Sequence, residues 1–69
     1  MSSQFNPSEF GANVRRLRKM SGLTLPQLAA DAKLSRGTLS KIENGKGNPT
    51  YSTINSLAIA LGVEIKDLI

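Results

Sequence analysis

Residues 23–45 read LTLPQLAADAKLSRGTLSKIENG, and one local device occurs twice within them. Leu23, Thr24 and Leu28 form the first copy; Leu34, Ser35 and Leu39 form the second. In each, a hydroxyl side chain stands ready to accept hydrogen bonds from the free amides that open a helix. The apolar residues on either side lie one turn apart and pin the incoming chain. Gln27 completes a capping box with Thr24, and Pro26 falls in a first turn, where its missing N–H does little harm. Asn44 and Gly45 suit the end of the second helix. Only about three residues then separate two short helices.

Working outward, the same signals recur upstream and downstream. Asn6 can cap a helix that has Pro7 at its first position, Glu9 as capping-box partner and a Phe5–Phe10 staple; Val14 and Leu17 continue its inner face, and Gly22 suits a left-handed stop. After Pro49, Thr50 can cap a helix with Ile54, Leu57, Ala58 and Leu61 on one face and Gly62 at its end. A last short helix is expected from Glu64 to Ile69. No stretch alternates with period two over a strand's length, nothing repeats, and residues 45–49 are the loop-rich patch. The class is all-α, with residues 1–69 as a single domain, because 69 residues bury only about 60% of their unfolded surface and cannot support two cores.

Composition narrows the chemistry. With no cysteine and no histidine, the chain lacks disulfides, thiolate metal sites and the commonest general base and zinc ligand. Glu9, Asp31, Glu43, Glu64 and Asp67 show no paired or metal-ligand spacing and no Gly-rich phosphate loop is present, so no enzymatic activity, metal or cofactor is expected. No apolar run approaches the ~20 residues of a membrane span, and MSSQFNPSEF lacks the plan of a signal peptide, so a cytoplasmic protein is expected. The 9 basic and 5 acidic side chains give +4 overall. Between Arg15 and Lys46, eight basic residues face only Asp31 and Glu43, a local +6 that attracts polyanions, although a solvated basic surface has the same composition.

The second helix of the pair divides its residues by sign and size. At about 100° per residue, Leu39 and Ile42 point one way with Glu43 beside them, while Gly37, Lys41 and Asn44 point the other. Thr38 and Ser40 flank the outward face, and Arg36 projects from the helix start. Arg36 and Lys41 can donate to the O6 and N7 acceptors of guanine or hold a phosphate; Thr38, Ser40, Asn44 and Lys46 carry donors suited to a phosphate backbone. Two helices joined by a short turn form the unit whose second helix enters the DNA major groove, but small helical bundles share such a hairpin. Gly37 costs roughly 0.5–1 kcal/mol relative to alanine, which fits close approach to another surface or a neutral choice in a frayed first turn.

Three phrases, VRRLRKMSGLT, LAADAKLSRGTLSKIENGKGNPT and INSLAIALGVEIKDL, resemble the XRE family of helix-turn-helix regulators, the group of the lambdoid phage repressors and Cro. The resemblance runs from Gly11 to Leu68. It implies a compact five-helix, lambda-repressor-like domain with the helix-turn-helix at about residues 25–44. It also implies a transcription regulator, a repressor by preference, that binds a palindromic double-stranded operator as a homodimer. Base contacts are implied at Arg36, Gly37, Ser40 and Lys41. Backbone contacts are implied at Gln27, Thr38, Asn44, Lys46 and Asn48, and Lys33 and Ser35 beside the turn join that set. An internal ion pair between Arg18 and Glu43 is implied as well, in keeping with Glu43 lying beside Ile42.

Two positions depart from the family pattern. Leu25 stands where a glutamine is usual, which removes one phosphate contact. Lys33 stands where a glycine is usual in the turn, so a positive φ there strains the lysine unless it reaches a phosphate. Leu25 also resembles the regulators of this family that carry a C-terminal cupin sensor, and a chain that stops at Ile69 fits a fragment lacking such a domain. The alternative from another class is an antitoxin or protein-interaction module on the same fold, with Val63, Ile65, Leu68 and Ile69 as contact surface; the preferred expectation is that Ile65 and Leu68 complete the core and neighbouring residues serve a homodimer interface. Tyr51 is expected to pack, since single-strand binders use several aromatic platforms.

Overall fold

The structure, a computed structural model, describes residues 5–69. Four α-helices follow in order, α1 (Pro7–Met20), α2 (Leu25–Asp31), α3 (Arg36–Glu43) and α4 (Tyr51–Leu61), with no strand among the described residues. Each helix opens on its expected cap. The Thr24 hydroxyl accepts from the Gln27 N–H at 3.2 Å while the Thr24 N–H donates to Gln27 Oε1 at 2.8 Å, so the full box forms. Ser35 and Thr50 accept from the N–H groups of Thr38 and Thr53. Asn6 Oδ1 accepts from both Ser8 and Glu9, and the Phe5 and Phe10 rings stand 5.4 Å apart, but Glu9 makes no return bond to the Asn6 N–H. The aromatic staple therefore stands beside half a box.

The helix ends obey backbone geometry. Gly22, Gly45 and Gly62 follow α1, α3 and α4 with φ of 74°, 75° and 70°, where a side chain would be strained. The expected fifth helix does not extend from Glu64 to Ile69. It is a single 3-10 turn at Ile65–Asp67, closed by the Asp67 carboxylate accepting from the Glu64 N–H. So few residues after the Gly62 stop cannot repay helix nucleation. Tertiary contacts reinforce these local bonds: the Leu68 side chain is fully buried, and its carbonyl accepts from Asn13 Nδ2 at 2.8 Å.

Phe10 and Val14 of α1, Leu28 of α2, Leu39 of α3, Leu57 of α4 and Leu68 fill the centre of the core. Burying such side chains contributes roughly 1.5–3 kcal/mol each. Around them α1 packs on α3, and α2 on α3 and α4. The α1–α3 approach leaves no room for a side chain at Gly11. Gly11 is buried, and a Cβ there would collide with the Ile42 carbonyl oxygen and crowd the Glu43 backbone. Among the described residues no helix is long and apolar enough to cross a membrane.

Candidate nucleic-acid interface

The link between α2 and α3 turns at Lys33, the one non-glycine residue with positive φ among those described, at 60°. Its N–H donates to the Ala30 carbonyl and the Leu34 N–H to the Ala29 carbonyl, which closes α2 and aims the chain into α3. A left-handed lysine costs roughly 1–2 kcal/mol, so the strain inferred for a lysine in the turn is present. Lys33 borders a notch with Asp31, Ser56 and Ile59, one that none of the other candidate contacts lines.

The two sides of α3 differ as its periodicity predicts. Leu39 is fully buried and Ile42 nearly so, while Arg36, Gly37, Thr38, Lys41 and Asn44 are exposed and Ser40 is half-buried. Four of these residues border two depressions, while Arg36 and Gly37 at the helix start line neither. Thr38 and Lys41 line a groove of about 200 Å³ with Lys46, Asn48, Pro49 and Thr50. Ser40 and Asn44 border a notch of about 220 Å³ with Arg15, Leu25 and the Arg18–Glu43 pair. Several donors are held in place by local bonds: Ser35 Oγ donates to Thr38 Oγ1 at 2.8 Å, and Asn44 Nδ2 donates to the Ser40 carbonyl at 2.9 Å. Gln27, its Oε1 engaged by the Thr24 N–H, keeps its amide hydrogens free to donate outward. Gly37 has nothing within 4 Å of where a Cβ would stand, so no internal contact requires glycine there.

The pair implied for Arg18 and Glu43 is formed and bidentate. Arg18 Nε donates to Glu43 Oε2 at 2.7 Å and Nη2 to Oε1 at 3.0 Å, while Nη1 donates to the Leu23 carbonyl at 2.9 Å. The side chains are only 11% and 5% exposed. One guanidinium thus ties α1 to α3 and to the strand of chain leading into α2. Hydrogen bonding to Glu43 raises the Arg18 pKa above the ordinary guanidinium value, against the lowering effect of burial, so this arginine stays charged. Glu43 is fully engaged as a structural partner.

Two residues outside the expected set belong to this architecture. Gly11 permits the close α1–α3 approach that sets how far α3 projects, and its signal is the one read at Gly37, a glycine inside a helix. Arg15 stands on α1 and shares a notch with Ser40 of α3 and Asn44, which caps the end of that helix. Its signal is its place at the head of the basic stretch.

A short second helix, braced from behind and polar on its free side, defines a helix-turn-helix unit. The chain belongs to the helix-turn-helix domain family, whose model matches residues 9–68. It is 47% identical over 62 residues to the uncharacterized HTH-type transcriptional regulator RghRB of Bacillus subtilis, covering 88% of this chain and 45% of that relative, and so spans about half its length. Among solved structures it is similar to the restriction-modification controller protein C.AhdI from Aeromonas hydrophila, with a TM-score of 0.88 at 33% identity over 91% of this chain and 96% of that one. It is likewise similar to SinR, the master regulator for biofilm formation, solved in complex with DNA, with a TM-score of 0.80 at 30% identity over 86% and 95% of the two chains. The resemblance drawn from the three sequence phrases holds.

Proposed function

We propose that this chain is the DNA-reading domain of a transcription regulator and binds double-stranded DNA with α3 in the major groove. The observation that carries the reading is the division of α3. Leu39 and Ile42 anchor the helix in the core, while the polar side chains of Arg36, Thr38 and Lys41 stand exposed. The likeness to regulators, one of them solved on DNA, supports it. Arg36 and Lys41 donate to guanine edges, Gly37 and Ser40 let the helix approach the bases, and Gln27, Ser35, Thr38, Asn44, Lys46 and Asn48 hold the phosphate backbone. Lys33, on the α4 side of the turn, reaches a phosphate only at the margin of this footprint. Repression is the preferred sense of regulation.

The unit works as a homodimer on a palindromic operator, with its two α3 helices about 34 Å apart, one turn of B-DNA. Ile59 and Ile69, 71% and 64% exposed, supply apolar surface for the second copy. Selection of bound sites from random duplex DNA at moderate salt tests the reading. It should return a motif with inverted half-sites, and failure to enrich any motif would refute sequence-specific binding. A protein-interaction module on this fold would instead show affinity nearly flat in salt.

A further inference from the structure

We propose that Arg15 of α1 donates to a backbone phosphate at the flank of α3, in the notch that it shares with Leu25, Ser40 and Asn44. The proposal rests on the DNA-reading role of α3 and extends its footprint to a second helix. Arg15, Ser40 and Asn44 open on one depression although they come from helices far apart in sequence, so a polyanion lying along that edge of α3 meets all three. The other charges there cancel. Arg18 and Glu43 hold each other through two bonds, and the third guanidinium nitrogen of Arg18 is spent on the Leu23 carbonyl.

Arg15 differs from its neighbours on α1. Arg16 is drawn along its own helix toward Asn13 Oδ1 at 3.4 Å and the Met20 sulfur at 3.8 Å, whereas Arg15 is exposed and enters no hydrogen bond or ion pair among the described residues. Its planar fork is therefore free to grip two oxygens of one phosphodiester. Leu25, the first residue of α2, borders the same notch with a side chain that carries no donor. Its half-buried side chain instead excludes water beside the guanidinium, which strengthens a charge-assisted bond formed there. The notch thus has one mobile cation, two short polar groups and an apolar wall, a site for a single phosphate.

The test is titration of the 69-residue chain against its selected duplex, and against a scrambled duplex of equal length, over a series of salt concentrations. Arg15→Ala should weaken binding about tenfold on both duplexes alike and make the log–log salt slope shallower by about 0.9, the value for one phosphate. Arg15→Lys should retain the slope. Leu25→Gln, which sets a donor in the same notch, should recover more affinity in the Arg15→Ala chain than it adds to the parent. Thermal melts of Arg15→Ala and Arg15→Lys should match the parent, since Arg15 has no internal partner among the described residues, and the two Leu25→Gln chains, which alter a side chain packed against the core, are compared with each other. An unchanged slope in Arg15→Ala, or a loss no greater than that of Lys66→Ala on the 3-10 turn outside the notch, would overturn the proposal while leaving the DNA-reading role of α3 intact. A parent whose own affinity is flat in salt would overturn both.

Discussion

The inner and outer sides of α3 are made of the same short helix and answer to different constraints. Inward, every group has a partner: Leu39 and Ile42 lie in the core, Glu43 is clamped by Arg18, and the Ile42 carbonyl passes so close to α1 that only Gly11 fits beneath it. Outward, the exposed side chains of Arg36 and Lys41 enter no hydrogen bond or ion pair among the described residues, and Gly37 faces open space. The inner side sets where the helix sits, and the outer side is free to be chosen for what it meets. Substitutions on the two sides should therefore separate into those that melt the domain and those that change binding in a domain that melts normally.

The largest expected effect is on the inner side. Glu43→Ala leaves Arg18 charged and buried without its partner, which costs about 3–5 kcal/mol. At about 4–8 °C per kcal/mol for a domain of this size, the melting temperature should fall by more than about 12 °C. Because the Arg18 pKa is raised, the pair's contribution is fully present below the ordinary guanidinium value and is lost only as pH rises through the raised one. The deficit should hence be constant across the neutral range from the arginine's side. A melt within a few degrees of the parent would show that the pair is not structural. Gly11→Ala comes next. Its Cβ drives α1 off α3 against backbone, which cannot rotate away, and overpacking of that kind costs about 1–3 kcal/mol. Unaltered melting would mean that the two helices separate freely, and the rigid seating of α3 would lose its basis.

How much of this was legible in the sequence follows the same division. Helix starts were, because a cap is a bond between residues three apart: Thr24 with Gln27, Ser35 with Thr38, Thr50 with Thr53. The stops at Gly22, Gly45 and Gly62 were legible for the same reason, and the split of α3 needed only its own periodicity. The last segment is helical over a shorter span than its pattern suggests, a 3-10 turn at Ile65–Asp67, and the bond that fixes its end on the core comes from Asn13, 55 positions from Leu68. Gly11 under Ile42, Arg15 sharing a notch with Ser40, and Lys33 bordering a notch with Ser56 all depend on how helices cross. Local pattern carries no such information. The Arg18–Glu43 pair, equally long-range, was reached only through family resemblance.

On the outer side, Lys41→Ala should leave the melting temperature unchanged and weaken binding to a selected duplex by about tenfold or more, the cost of a lost base contact at about 1–3 kcal/mol. The sharper measurement is the ratio between selected and scrambled duplexes. A base contact lowers that ratio, whereas a phosphate contact weakens both equally and lowers the salt slope by about one. A fall in melting temperature comparable to that of Glu43→Ala would mean that Lys41 belongs to the fold, and the separation of the two sides would fail at the residue meant to exemplify it.

The smallest change tests the comparison most directly, because its two readouts should move in opposite directions. Gly37 is the second residue of α3, in right-handed helical backbone, with nothing within 4 Å of an added Cβ. Alanine there should stabilise the helix by roughly 0.5 kcal/mol, the lower end of the glycine–alanine difference because the position lies in the first turn. The melting temperature should rise by about 2–4 °C. If glycine is present because the helix start comes within contact distance of the groove, the same methyl should weaken DNA binding. A more stable variant that binds less tightly identifies Gly37 as a residue held for an external surface. Unchanged affinity would make it a neutral choice and would limit the outer side of α3 to its charged and hydroxyl groups.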